Sequence, residues 1–339
     1  MLTPDEVTRL AQHLVDHLGA KHLHVSNVRR FHGGASRETY GLDVTIDGTP
    51  RGLIVRRDPA DSLIDTERAL EFAAYRSFAD SPVPVPRAIC LVEDASIIGA
   101  PYFVMERIDG GQAESAFNAE AYGEHRAAIG TQFFTHLGQI ASVDAAASPL
   151  AQVTGMPDPA ICWSDQLAVW EKVITDDAVE PQPIAIAAIR WLKRNAPPAP
   201  QRLSIVHGDY RNGNVLHDLA GKIIAVLDWE MAHIGDAHED LAWALDPMWN
   251  LQDSEDRAAG LIPRIDAISL WERESGLTFD ADAFAWWEMF ATLKGVGIWI
   301  SAARAFIGGK NDDPILALSG TFPLARANLL LAERLGGAL

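Results

Sequence analysis

The stretch 203–228, LSIVHGDYRNGNVLHDLAGKIIAVLD, decides how this chain is read. Leu203 to Val206 is a short apolar strand running into the turn His207-Gly208-Asp209. After the polar loop Tyr210-Arg211-Asn212-Gly213, the segment Asn214 to His217 is strand-like. Asp218 to Gly221 is then a turn, and Ile223 to Leu227 is β-branched and apolar. Antiparallel pairing of the last two runs brings Asp228, at the end of one, beside Asn214 at the start of the other. That juxtaposition suits phosphoryl transfer from a nucleotide. One carboxylate, Asp209, can hold an acceptor hydroxyl, while a hard cation shields the phosphates. Mg2+ prefers oxygen ligands and takes only one or two from protein, so an Asn amide oxygen and an Asp carboxylate suffice. The same residue types also suit an ordinary Asp-Asn turn.

The run IVHGDYRNGNVL…IIAVLDWEMAHIGDAHEDLAW resembles the aminoglycoside phosphotransferase family, small-molecule kinases that share the protein-kinase-like bilobal fold. The resemblance implies an α+β chain whose N-terminal lobe (1–106) is an antiparallel sheet with one main helix. The C-terminal lobe (107–339) is then mainly helical and carries the catalytic β-hairpin. It further implies ATP or GTP as donor, Mg2+ as cofactor, Asp209 as catalytic base, and Asn214 and Asp228 as metal ligands. His207 and Asp236 are expected to support the loop. Asp236-Ala237-His238-Glu239 also reads as a helix capping box, with Asp236 as cap and Glu239 closing it. Trp229 reads as packing, and Glu230 as a neighbouring acceptor of hydrogen bonds.

Outward from that site, the N-terminal third offers three strand candidates: Val25 to Phe31, Glu38 to Ile46 and Arg51 to Arg57. Asp47-Gly48 is a tight hairpin turn. Gly33, Gly34 and Ser36 sit where a glycine loop would let backbone N–H groups approach phosphate, and Ser36-Arg37-Glu38-Thr39-Tyr40 matches the family's loop ending. Arg56 occupies the place of the lysine that pairs the phosphates. A guanidinium can bridge phosphate and carboxylate through its planar fork. Arg57 points to the opposite face and is expected to be solvated. Residues 66–79 read as a helix stopped by Pro82, Pro84 and Pro86. Its Glu71 is the expected partner of Arg56, with Glu67 one turn earlier as competitor. Pro101 to Arg107 is a strand that the resemblance makes the inter-lobe hinge, placing Val104, Glu106 and Arg107 at the nucleotide base.

Composition narrows the function classes. The chain has 339 residues, with 28 Lys and Arg against 46 Asp and Glu, a formal charge of −18. That deficit of cations argues against general nucleic-acid binding. It suits either a cationic substrate or plain solubility. Two cysteines, Cys90 and Cys162, suggest no disulfide framework and a reducing cytoplasm. Thr3-Pro4-Asp5-Glu6 reads as a helix start rather than a signal peptide, and the absence of a long apolar run predicts no membrane span.

Phe284 to Ile307 carries Trp286, Trp287, Phe290, Leu293, Val296, Ile298 and Trp299, apolar nearly all round, which means burial or the wall of an apolar acceptor pocket. Asp246, Asp282 and Glu288 form no obvious cluster for ammonium groups. The acceptor is therefore left among an aminoglycoside or other antibiotic, an amino alcohol, and a hydroxyacyl thioester. The last follows from Arg56 and its RRDP continuation, similar to kinase-like domains found beside acyl-CoA dehydrogenases. The alternative is a catalytically silent nucleotide-binding module, for which Arg56 is the only support.

Overall fold

The computed structural model describes residues 1–31, 38–58, 66–115, 118, 121–250, 257–309 and 313–338. Helix α1 (Pro4–Leu18) starts where the sequence places it. Thr3 and Glu6 form a reciprocal capping box, and Gly19 closes the helix in the left-handed region. Strands β1 (Leu23–Phe31), β2 (Glu38–Ile46), β3 (Thr49–Arg57), β4 (Ala88–Val92) and β5 (Tyr102–Glu106) build one antiparallel sheet in the order β1-β2-β3-β5-β4. Asp47 and Gly48 both take positive φ, 48° and 86°, as a two-residue turn matched to strand twist requires.

Alternation along these strands gives the sheet two apolar faces. Tyr40, Leu42, Leu53, Val55 and Val104 pack with Leu10 and Leu14 of α1 into a small core. Ile54, Phe103 and Met105 face the other way, onto helix α2 (Thr66–Ser77). Arg56 and Arg57 accordingly point to opposite faces, but Arg57 is not solvated. Glu38 holds its Nε at 2.9 Å, and its Nη1 donates to the Ile98 carbonyl at 2.8 Å. Cross-strand carboxylates capture a long cation more easily than isolated sequence position suggests.

The remainder is helical around three short two-stranded ladders among the described residues. Helices α3 (Arg126–Ser142), α4 (Pro149–Thr154), α5 (Cys162–Asp177) and α6 (Pro183–Arg194) precede β6 (Ser204–Val206), β7 (Val215–His217), β8 (Ile223–Val226) and β9 (His233–Gly235). Strand β7 pairs with β8, and β6 pairs with β9. There follow α7 (His238–Leu245), the two-residue strands β10 (Arg257–Ala258) and β11 (Ile262–Pro263), α8 (Arg264–Ser275), α9 (Ala281–Ile307), α10 (Pro314–Ser319) and α11 (Phe322–Ala338). Trp229, Trp243, Trp271, Trp286 and Trp287 are fully buried, and their burial anchors this half.

Helix α9 is the axis of the C-terminal part. At Gly297 a Cβ would meet the Trp170 ring at 2.8 Å, so glycine is what lets α5 lie against it. Two stretches, Ala281–Ile307 and Pro314–Gly337, reach the length and mean hydropathy of a membrane span despite their interrupting polar residues. For Ala281–Ile307 the reason is packing: a helix enclosed by protein on most sides needs the same apolar composition as one enclosed by lipid.

Candidate active site

Strand β6 delivers His207-Gly208-Asp209 into a turn that only glycine can make. Gly208 has φ 83°, and a Cβ there would lie 2.4 Å from the Met231 carbonyl oxygen. His207 is buried and bridges the loop to the hairpin. Its Nε2 donates to the Leu227 carbonyl at 2.9 Å, while Nδ1 accepts from the Asp209 amide at 3.1 Å. That pair of bonds needs a neutral imidazole. Burial lowers the His207 pKa, which keeps the ring neutral.

The loop backbone is held by two side chains that the sequence reading did not single out. Asp240 accepts from the His207 and Gly208 amides at 2.6 and 2.9 Å. Lys294, buried in α9, donates to the Gly208 carbonyl and to Glu239 Oε1, the latter at 3.0 Å. The expected brace, Asp236, lies elsewhere. It accepts from the His238 amide at 2.9 Å and from Trp287 Nε1 at 2.9 Å. Helix α7 begins at His238, so Asp240 in its first turn faces β6 while Asp236 faces α9. The expected capping box is also absent, because Glu239 is committed to Lys294 and to His233 at 3.0 Å.

This buried network gives stability a two-sided pH dependence. The Glu239 carboxyl sits at about 2: burial opposes ionisation, but His233 and Lys294 outweigh it. Burial also opposes the charge on His233, but Glu239 raises its pKa above 6.5. The His233 contribution is therefore complete below pH 6.5 and lost as pH rises through the raised folded value. His207 has the opposite sign: its contribution is complete above 6.5 and lost as pH falls through the lowered value. Urea midpoints should peak near pH 6.5. In His233→Gln only the alkaline decline should disappear, and an unchanged alkaline slope would refute the assignment.

Asp209 is nearly enclosed, its side chain 14% exposed. Arg211 Nε donates to both carboxylate oxygens at 3.1 and 3.0 Å, Asn214 Nδ2 donates to Oδ2 at 2.8 Å, and Trp243 Nε1 donates to Oδ1 at 2.9 Å. The hairpin forms in the expected register: Val215 pairs with Val226, and the Leu227 amide donates to the Asn214 carbonyl at 2.8 Å. Asp228 follows with left-handed φ 66° and ψ 58°, its amide held by the Tyr75 hydroxyl at 3.1 Å. Asn214 and Asp228 thus line one cavity of about 640 Å3. The donor set fits a hard divalent cation. Asn214 spends its Nδ2 on Asp209, leaving the amide oxygen, and the Asp228 carboxylate is 38% exposed.

The same cavity reaches the sheet. Arg56 pairs with Glu71 at 2.5 Å and stands 3.5 Å from Asp228 and 3.4 Å from Glu230. Burial opposes its charge, but Glu71 dominates and raises the guanidinium pKa further. Glu106 and Arg107 line the cavity, together with Met105. Val104 does not: one residue out of phase on β5, its side chain is fully buried in the small core. Arg107 is tied to Asp43 at 2.7 Å and to Asp109 at 2.7 Å, so it shapes the hinge rather than reaching freely into it. Gly33, Gly34 and Ser36 lie outside the described residues.

A second cavity of about 460 Å3 opens on the other side of Asp209. Trp243, Trp249, Ile298, Trp299 and Leu318 form its apolar wall, Arg211 is its cation among the described residues, and Gly213 borders both cavities. Helix α9 therefore serves both expected purposes at different positions. Trp286, Trp287, Phe290, Leu293 and Val296 are core, while Ile298 and Trp299 face the cavity. Asp246 and Glu288 are spent on Thr292, Arg264 and Arg334. A lone Lys294 inside an apolar helix was the one legible signal for the missed brace.

An acidic loop residue between two cavities, one of them at a hinge beneath an antiparallel sheet, is the layout of kinase-like phosphotransferases. The chain belongs to the phosphotransferase enzyme family, whose model matches residues 27–287, and is a small-molecule kinase. Acyl-CoA dehydrogenase family member 11 of Rattus norvegicus is 26% identical across 97% of this chain and 43% of that protein. The chain spans less than half the length of the curated relatives it matches. Among solved structures, a Ralstonia eutropha protein assigned as an aminoglycoside phosphotransferase has TM-score 0.78 at 21% identity, covering 98% of both chains. A thermostable mutant of aminoglycoside phosphotransferase APH(4)-Ia, in ternary complex with AMP-PNP and hygromycin B, has TM-score 0.58 at 18% identity, covering 97% of this chain and 98% of that one. Both likenesses are likenesses of fold.

Proposed function

We propose that this chain transfers the γ-phosphoryl group of ATP or GTP to a hydroxyl of a small-molecule acceptor whose hydroxyl-bearing part is largely apolar, with Asp209 as the base. The observation that carries this reading is the position of Asp209 between the two cavities. It lines the apolar one, while Asn214 and Asp228 line the other beside Arg56. The 1–106 lobe would hold the nucleotide, its base between Met105 and Arg107, and the 107–339 lobe would hold the acceptor. The Ile108 N–H, unbonded among the described residues, is available to the base. Arg56, kept in place by Glu71, would meet the phosphates. Mg2+ on Asn214 and Asp228 would neutralise charge developing on the transferred group. Asp209 would accept the hydroxyl proton as the acceptor oxygen attacks in line.

Hydroxyacyl thioesters are the acceptor class best matched to the cavity. Among the described residues its wall is three tryptophans with aliphatic neighbours and, besides Asp209, one carboxylate, Glu114, rather than the array of carboxylates that an ammonium-rich antibiotic would demand. Acyl-CoA dehydrogenase family members 10 and 11 are among the curated relatives, which supports the same class. The buried free thiols Cys90 and Cys162 suit a reducing cytoplasm. Nucleotide turnover should be measured against a panel of hydroxyacyl-CoAs, amino alcohols and aminoglycosides. We expect turnover on hydroxyacyl-CoAs. Turnover confined to aminoglycosides would overturn the acceptor class, and Mg-ATP binding without turnover on any hydroxyl would favour the silent module.

A further inference from the structure

The Asp209 carboxylate takes four contacts from three N–H donors. Oδ1 accepts from Trp243 Nε1 at 2.9 Å and Arg211 Nε at 3.1 Å; Oδ2 accepts from Asn214 Nδ2 at 2.8 Å and Arg211 Nε at 3.0 Å. A carboxylate offers about four acceptor sites in all. A hydroxyl that is to lose its proton to Asp209 must donate to one of those oxygens. An incoming hydroxyl competes with these donors for the two oxygens, and one contact gives way to it.

The geometry identifies which. Trp243 is 2% exposed and packed in the core, and Asn214 is 5% exposed and anchored a second time through the Asp209 carbonyl at 2.8 Å. Arg211 is 31% exposed. Its single Nε–H is split between two oxygens, which makes it the weakest of the bonds. Its guanidinium carbon lies 5.5 Å from the Trp249 ring centroid, inside the apolar cavity. Its Nη1 lies 2.2 Å from where a Gly213 Cβ would stand, at the border of both cavities. Among the described residues, Nη1 and Nη2 have no hydrogen-bond acceptor.

We infer that Arg211 is a specificity-determining latch on Asp209. It occupies the acceptor hydroxyl's place until an acceptor oxygen, a carbonyl or carboxylate near that hydroxyl, draws the guanidinium fork onto itself. The inference rests on Asp209 being the base. It also gives the latch a purpose. With Arg211 in place, water competes poorly for Asp209, so the nucleotide is hydrolysed only slowly while the acceptor is absent. In that wasteful reaction a water oxygen bonds to the γ-phosphorus, the bond to the leaving diphosphate breaks, and the water proton passes to Asp209. An acceptor with an apolar chain but no carbonyl would fit the cavity and leave the latch closed.

Arg211→Met keeps the aliphatic stem on Trp249 and removes every donor, and Arg211→Lys keeps only a point charge. Inorganic phosphate release from Mg-ATP without acceptor should be compared in these variants and wild type, together with Mg-ATP affinity by calorimetry. Loss of a charge-assisted bond to Asp209 should raise acceptor-free hydrolysis about ten- to a hundredfold in Arg211→Met, with Arg211→Lys between it and wild type. Nucleotide affinity should stay unchanged. With acceptors, KM should rise for a 3- or 4-hydroxyacyl-CoA, whereas a simple alcohol of the same chain length, which leaves the latch closed in wild type, should be turned over faster by Arg211→Met. Unchanged or slower hydrolysis in a variant that still binds Mg-ATP overturns the latch alone. Failure of wild type to bind Mg-ATP overturns the kinase reading and the latch with it.

Discussion

Asp209→Asn is expected to lower kcat by about a hundred- to ten-thousandfold, the usual contribution of a positioned general base, while leaving Mg-ATP affinity unchanged. The variant is nearly isosteric, so Trp243 and Arg211 can still donate to the remaining carbonyl oxygen. What it lacks is a group able to take the hydroxyl proton. Nucleotide affinity should survive because Asp209 borders the apolar cavity, whereas Asn214, Asp228 and Arg56 border the other. The check is kcat on the best acceptor from the panel, alongside Mg-ATP titration of the same preparation. A variant within about threefold of wild type would remove Asp209 from the chemistry, since so small a loss is well under 1.4 kcal/mol of barrier. Parallel loss of nucleotide affinity would mean that the two cavities are not divided as argued.

Lys294→Met should have the largest effect on stability, a loss of about 3–5 kcal/mol, as expected when one member of a buried ion pair is removed. Lys294 and Glu239 each have side chains 1% exposed and stand 3.0 Å apart. Lys294 also carries the Gly208 carbonyl and lies 5.2 Å from the Trp243 ring centroid. Deleting it removes one of the two groups that hold the Glu239 carboxyl at about 2 against its burial, and leaves His233 as the remaining partner of a buried acid. The double variant Lys294→Met, Glu239→Gln should recover most of the loss, because no buried charge is then left unpaired. Urea unfolding of the two variants decides it. A single-variant loss below about 1 kcal/mol would place the pair in the class of solvent-screened surface bridges. Activity should fall in the single variant as well, since Gly208 precedes Asp209.

The site was readable in the sequence wherever its parts are joined by short-range geometry. The Asn214–Asp228 juxtaposition needs only one antiparallel hairpin, and it formed in the register that the turn at Asp218 to Gly221 allows. The three N-terminal strands follow from their residue pattern and the tight turn between the second and third, whereas the Arg56–Glu71 pair, 15 residues apart, was an expectation of the family resemblance. The misplacement of Val104 shows the limit of that reasoning. A strand's phase decides which of two neighbours faces a cleft, and β5 is apolar on both sides, so the sequence offers no contrast to set the phase. Its partner β4 was missed for a similar reason, lying short and apolar just after a run of prolines.

By itself, the sequence determined which groups the loop brings together: an acidic residue after a glycine turn, and an Asn and an Asp joined by a hairpin; the family resemblance added an arginine standing where a lysine is usual. Tertiary structure alone decided who holds that loop and what covers it. The bond from His207 to Asp240 spans 33 positions, and the one from Lys294 to Gly208 spans 86. Asp236 and Asp240 look equally eligible until the direction of α7 is known. Which turn of α9 faces the core and which faces the apolar cavity is likewise invisible in a helix that is apolar nearly all round. Local pattern encodes the hairpin because backbone pairing is short-ranged. The brace, the latch on Asp209 and the two faces of α9 depend on how separate elements pack, and packing direction is a property of the whole fold.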